Sequence, residues 1–198
     1  MMLKVALTGG IATGKSHVLE RFRRLNVPCL DADALAHGVM APGTEASAAI
    51  AARFGAEVLD ASGAVDRRQL GPLVFADASA RRDLEAIVHP GVYRAITAGL
   101  RAFELLGEPL AIVDIPLLYE TGRAADFDKV IATVCEPSQQ MARLLHRGLT
   151  EEQARERLAA QMPAQEKAAR AHFVIQTDGT VAETDEQVKA VWQHLRGS

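Results

Sequence analysis

The chain has 198 residues, enough for one domain carrying small inserted lids. Hydrophobic residues make up 48% and charged residues 24%, which excludes wholesale disorder, collagen-like repeats and a coiled-coil rod. The 22 basic and 25 acidic residues leave a formal net charge of −3, so no global basic field exists to hold nucleic acid. An anionic ligand must be caught by a local site.

Two cysteines, Cys29 and Cys135, are too few for a disulfide framework and read as buried free thiols in a reducing compartment. No stretch reaches the ~20 apolar residues of a membrane span. The first apolar run, Leu3 to Leu7, is broken by Lys4 and followed by Thr8-Gly9-Gly10, which is not a signal peptide. The chain reads as cytoplasmic and unprocessed, with no membrane or nucleic-acid partner.

Apolar runs of strand length recur at 3–7, 27–30, 110–113, 130–134 and 173–175, with helical spacing between them. That alternation predicts an α/β fold, a parallel five-stranded sheet with helices on both faces. The first strand feeds a Gly-rich turn and a helix from Lys15 to Leu25, whose face carries Val18, Leu19, Phe22 and Leu25. About eighty residues then separate Leu30 from Leu110, far more than one crossover needs. Helical patterns at 46–54, 68–75 and 80–106 and a turn at 60–63 predict a helical insertion over about 34–106. Thr150 and Gln153 form a capping-box pattern that opens a charged helix to about Gln161, before Pro163 interrupts it. This stretch, about 147–170, is a candidate lid. The last helix, about 181–195, turns Val188, Val191, Trp192 and Leu195 inward.

Gly9-Gly10-Ile11-Ala12-Thr13-Gly14-Lys15-Ser16 fits G-x-x-x-x-G-K-[ST] without a mismatch, between a strand and a helix as the motif requires. The glycines let successive N–H groups turn around a phosphate, and the helix N-terminus adds partial positive charge. Gly10 to Ser16 and His17 are therefore candidate nucleotide-binding residues, with Lys15 on the outer phosphates and the Ser16 hydroxyl on Mg²⁺.

Asp31-Ala32-Asp33 follows the second strand at the carboxyl edge, where open parallel sheets bind ligands. An extended backbone would point both carboxylates the same way, and a helical turn would splay them. Spacing alone leaves open a hydroxyl-orienting acid or a pair of helix caps before Ala34. Asp114 ends the third strand, where an acid holding Mg²⁺ through water would sit; Glu120 reads as a surface or capping acid. Arg143 and Arg147 lie one helical turn apart with no acid among Gln139, Gln140 and His146 to relieve them. A triphosphate would turn that repulsion into attraction, and Arg157 could join from the next helix. The histidines show no zinc spacing.

Taken together the chain resembles the dephospho-coenzyme A kinases. The resemblance runs through Ala6 to Ile11 with the phosphate loop, Asp31-Ala32-Asp33 with Ala36-His37, and Pro42-Gly43-Thr44. It continues in Phe54-Gly55, Asp66-Arg67, Val74-Phe75, His89-Pro90, Pro116-Leu117-Leu118-Tyr119-Glu120, 155–161 and the Gly179 turn. It implies a P-loop NTPase-type kinase that moves the γ-phosphate of ATP, with Mg²⁺, to the ribose 3′-hydroxyl of dephospho-CoA, in the last step of coenzyme A synthesis. Asp33 would be the base, Arg143 would meet the charge on the transferring group, and Arg147 would help at the lid. Thr8, Asp33, His89 and Leu117 would contact the acceptor, and the helical insertion would bind it. Monomer or weak homo-oligomer is the expected state. Ala12 and His17 stand where the family usually has Gly and Thr, Gly148 follows Arg147 in place of an acid, and Gln176 to Gly179 replaces an Asp-Asn turn.

Two rivals share parts of this pattern. A nucleoside or nucleoside monophosphate kinase would not need so long an insertion. A nucleotide-switch protein would usually carry an Asn-Lys-x-Asp loop, which is missing, as is the Leu-Ser-Gly-Gly-Gln signature of transporter ATPases.

Overall fold

A computed structural model describes residues 1–197. The described chain forms two compact units, residues 1–30 with 100–197 and residues 31–99. The first holds the sheet, with strands β1 (Leu3–Gly9), β2 (Cys29–Asp31), β3 (Leu110–Asp114), β4 (Lys129–Val134) and β5 (Phe173–Gln176). Their order is β2-β3-β1-β4-β5, and the pairings of β1 with β3, β1 with β4 and β4 with β5 are parallel. β2 is one residue shorter than its apolar run and starts later. Pro28 has no N–H to give, and pairing begins with its carbonyl, which accepts from the Ile112 N–H at 2.9 Å.

Among the described residues, five α-helices lie wholly within this unit: α1 (Lys15–Arg24), then α6 (Pro137–His146), α7 (Glu151–Ala159), α8 (Ala164–Arg170) and α9 (Val181–Arg196). α1 and α9 bury Val18, Leu19, Phe22, Val188 and Leu195 against Val5, Leu7, Ile112, Ile131 and Ile175 of the sheet. Each such large apolar side chain contributes ~1.5–3 kcal/mol on burial. Trp192 packs on the edge of this cluster. α8 packs on β1 and β4. The capping box of α7 forms as its sequence predicts: the Thr150 hydroxyl accepts from the Gln153 N–H, and the Gln153 side chain accepts from the Thr150 N–H. α8 has no strong apolar period in its sequence, and only the structure sets it apart as a helix after Pro163.

The second unit is helical, with α2 (Ala32–Val39), α3 (Glu45–Phe54), α4 (Arg67–Ala76) and most of α5 (Ala78–Leu105). Between α3 and α4 the Asp60–Gly63 turn is closed by the Asp60 carboxylate, which accepts from the N–H groups of Ser62 and Ala64. α5 continues through Pro90, next to Gly91, whose missing side chain leaves room for Val39. A pocket of about 580 Å³ opens here, with Val39, Ala46, Ile87 and Pro90 among its apolar lining and Thr44, Glu45 and Arg94 as its polar side chains.

Candidate active site

The site is built at the carboxyl edge of the sheet, where registration is tight: Leu7 of β1 lies beside Asp114 of β3, and Gly9 beside Thr133 of β4. Gly9 is required by that closeness, because a Cβ there would sit 2.1 Å from the Thr133 hydroxyl. The chain then turns through Ala12 at φ 61° and Gly14 at φ 80°, both left-handed, before α1 begins. Ala12 holds a conformation that costs a non-glycine residue ~1–2 kcal/mol. Its methyl is buried against Leu144 and Ala154, which offsets part of that cost.

Each outward carbonyl of the loop has a holder. Gly10 O accepts from the Thr13 hydroxyl at 2.8 Å, and Ile11 O from Gln140 Nε2 at 2.7 Å. Ala12 O accepts from the Arg143 guanidinium at 3.0 Å, and Thr13 O from the Thr177 hydroxyl at 2.8 Å. With the carbonyls fixed outward, the N–H groups of Ala12, Gly14, Lys15 and Ser16 are left for a ligand; among the described residues no acceptor takes them. This is the anion cradle the motif implied.

Lys15 reaches across to Asp114 of β3, and the two form an ion pair in which Asp114 is buried. The Ser16 side chain is exposed at the first turn of α1 and has no intramolecular hydrogen bond among the described residues. His17 instead turns to α9, with Nε2 2.8 Å from Asp185, which also meets Arg21.

The two arginines separate. Arg143 is turned inward: besides Ala12 O it reaches the Thr177 hydroxyl at 3.2 Å, the Thr177 carbonyl and Gln139. Arg147 lies just past the end of α6, exposed and without a partner among the described residues. Burial pushes the nearby Cys135 thiol above its ordinary range, with Arg143 pulling it back. Cys29 is pushed up to about 12, chiefly by burial. Both cysteines are free thiols.

The Asp pair resolves into two different roles. β2 ends at Asp31 and α2 begins at Ala32, so the carboxylates splay. Asp31 is the helix cap, accepting from the N–H groups of Asp33 at 2.9 Å and Ala34 at 3.1 Å. Asp33 sits in the first helical turn, exposed, with its carboxylate uncommitted. His89 lies within α5, half-buried, its ring 5.9 Å from that of Tyr93. Thr8 is fully buried and donates to Pro116 O at 3.2 Å; Leu117 is half-buried on the loop that follows.

Residues 3–183 match the profile of the dephospho-CoA kinase family, CoaE. The chain belongs to the dephospho-CoA kinases. It is 47% identical to the dephospho-CoA kinase of Anaeromyxobacter dehalogenans over 99% of this chain and 93% of that one. Identity to the Geobacillus kaustophilus dephospho-CoA kinase is 43%, over 96% of each chain. A crystal structure from Thermus thermophilus, 33% identical, superposes with a TM-score of 0.82 over 98% of both chains. Shikimate kinase from Acinetobacter baumannii, 14% identical with a TM-score of 0.54, shares the fold alone. The P-loop kinase reading of the fold and the reading of the chain as an ATP-dependent kinase are thereby shown.

Several residues that build the site gave no sign in the sequence of the partners they would take. Glu120 is an exposed acid, as expected, but a committed one: its Oε1 lies 2.8 Å from the fully buried Lys167 ammonium and accepts from the Met162 N–H at 3.0 Å. Lys167 also donates to Pro116 O at 2.7 Å, the carbonyl that Thr8 uses. Gln140 and Thr177 are buried polar side chains, and only the placement of Gln140 one turn before buried Leu144 hinted at the first. Gln161 looked like the frayed end of a charged helix, yet it accepts from the Ile11 N–H at 3.0 Å.

Proposed function

We propose that this kinase transfers the γ-phosphoryl group of ATP to the ribose 3′-hydroxyl of dephospho-CoA, yielding coenzyme A and ADP. The observation that carries the reading is the cradle, whose carbonyls are all tied outward and whose N–H groups are left inward, in a chain of this family. Phosphoryl transfer asks the protein for positioning and charge neutralisation more than for covalent chemistry. The cradle and Lys15 take the β- and γ-phosphates, and Lys15 exchanges part of its contact with Asp114 for phosphate oxygen. In the transfer a bond forms from the 3′-oxygen to the γ-phosphorus, the bond to the β–γ bridging oxygen breaks, and ADP leaves. Asp33 takes the hydroxyl proton; Asp31, spent as a cap, is not available for it.

Mg²⁺ fits the residues present. It prefers one or two protein oxygens with phosphate and water completing its shell. The free Ser16 hydroxyl provides the first, and Asp114 provides a buried carboxylate for a water-mediated contact. When bound, the ion neutralises charge on the β- and γ-oxygens. Arg143 acts through the loop carbonyls it holds, and the unpaired Arg147 and Arg157 are the guanidinium groups available to the phosphates when the 147–170 lid closes. Thr8 acts through Pro116, and His89 and Leu117 are assigned to the acceptor side. The helical unit, with its 580 Å³ pocket of apolar and amide-compatible lining, suits the alternating aliphatic and amide groups of pantetheine. Cytoplasmic placement and a monomeric or weakly oligomeric state belong to the same reading. No helix among the described residues is long and apolar enough to cross a membrane.

The test is ADP release from ATP with and without Mg²⁺, using dephospho-CoA beside a panel of nucleosides and nucleoside monophosphates. Stimulation by dephospho-CoA with a product heavier by one phosphate is expected. Stimulation by a nucleoside monophosphate in its place would overturn the proposal.

A further inference from the structure

The phosphate loop is fixed peptide plane by peptide plane, and one plane is fixed from outside the loop's immediate surroundings. The plane joining Gly10 to Ile11 has its carbonyl on the Thr13 hydroxyl and its N–H on Gln161 Oε1, at 3.0 Å. The other planes are held by α6 or by the turn after β5. Gln161 comes from the junction between α7 and α8. That junction is itself anchored, because the neighbouring Met162 N–H donates to Glu120, and Glu120 is paired with buried Lys167.

We infer that Gln161 is a positioning residue for the nucleotide: it orients the Gly10–Ile11 peptide and so ties the root of the α7–α8 segment to the phosphate cradle. The inference rests on the reading of residues 9–16 as that cradle. If this plane rotates, Gly10 O leaves the Thr13 hydroxyl, and the following N–H groups lose their common aim. A phosphate that needs several of them at once then binds more weakly. The Glu120–Lys167 pair, which also grips Pro116 O, makes the Gln161 anchor continuous with the loop after β3. Gln161 acts on the reaction only through Ile11.

The experiment uses the full chain and ADP, which binds without an acceptor. Gln161→Met keeps the size and the packing of the side chain but offers no good acceptor. It is expected to raise the ADP dissociation constant about 5-fold, the weight of one hydrogen bond, and to speed amide exchange at Ile11. KM for dephospho-CoA and the melting temperature should stay near the parent values. Gln161→Glu, which retains the acceptor oxygen, should restore slow exchange at Ile11. ADP affinity within twofold of the parent in Gln161→Met would overturn the inference. So would a loss that tracks the melting temperature and leaves Ile11 exchange unchanged. An acceptor other than dephospho-CoA would overturn the proposed function and leave this result standing.

Discussion

Replacing Glu120 with Gln should reveal the energetic weight of the Lys167 ammonium. The Lys167 side chain has no exposed surface, and among the described residues Glu120 is its one charged hydrogen-bond partner, at 2.8 Å. Removing one member of a buried pair costs ~3–5 kcal/mol, because the remaining charge is stranded. Two features lower that figure here. Gln retains an oxygen for the ammonium and for the Met162 N–H, and the Glu120 side chain is 23% accessible, so water reaches the pair. About 2 kcal/mol at pH 7 remains, a fall in melting temperature of about 4–8 °C for a chain of this size. The pH dependence is the sharper test. Burial holds the Lys167 pKa below its ordinary 10.5, against the raising influence of Glu120. A lysine with a depressed folded pKa is penalised while protonated, and the penalty lifts as pH climbs through that pKa towards 10.5. Gln removes the raising influence, so in the variant relief begins at lower pH. The deficit should therefore be largest at pH 7 and shrink towards pH 10, read by thermal unfolding of both proteins in matched buffers. Lys167→Met, which removes the buried charge and leaves Glu120 partly solvated, should cost less than Glu120→Gln at pH 7. A deficit constant from pH 7 to 10, or a larger loss in Lys167→Met, refutes the reasoning.

Three further outcomes follow from the site. Asp33→Asn should lower kcat by about 10²–10⁴-fold with an unchanged melting temperature, whereas Asp31→Ala should cost about 1 kcal/mol of stability through the lost cap; equal destabilisation by both would reject the division of roles. Ala12→Gly relieves ~1 kcal/mol of left-handed strain, but it loses a buried methyl worth ~0.8 kcal/mol and adds chain entropy. Urea unfolding should thus show a change within about 1 kcal/mol, and Ala12→Val, a branched side chain at φ 61°, a loss above about 2 kcal/mol. Arg143→Lys keeps the charge but not the planar fork that spans Ala12 and Thr177. ATP affinity by titration calorimetry should fall about tenfold, and unchanged affinity would remove Arg143 from the nucleotide site.

The division between what a sequence announces and what it hides follows the range of the interactions. Gly9 to Ser16 was legible because the motif is local. Eight consecutive residues carry the turn, the N–H groups, the cation and the hydroxyl, and the apolar strand and amphipathic helix on either side confirm the context. The strands were legible because the central ones, β1, β3 and β4, are buried almost throughout, and the half-buried β2 and β5 still read as short apolar runs. Asp33 and Asp31 were legible as a pair but not as individuals, since the choice depended on where β2 stops and α2 starts, a matter of one residue.

The sequence by itself determined the cradle, the parallel α/β sheet and the presence of a helical insertion, because periodicity and short motifs encode local geometry. Tertiary structure alone decided how the cradle is held. Gln140, Arg143, Gln161 and Thr177 reach it across 129, 131, 150 and 164 residues of chain. A polar side chain that will be buried on a distant backbone carbonyl or N–H looks, in sequence, like any surface residue. The physical reason is that hydrogen-bond satisfaction of buried groups is a property of the assembled fold. The same holds for Lys167, whose burial and pairing with Glu120 exist only once α8 has closed over β1 and β4.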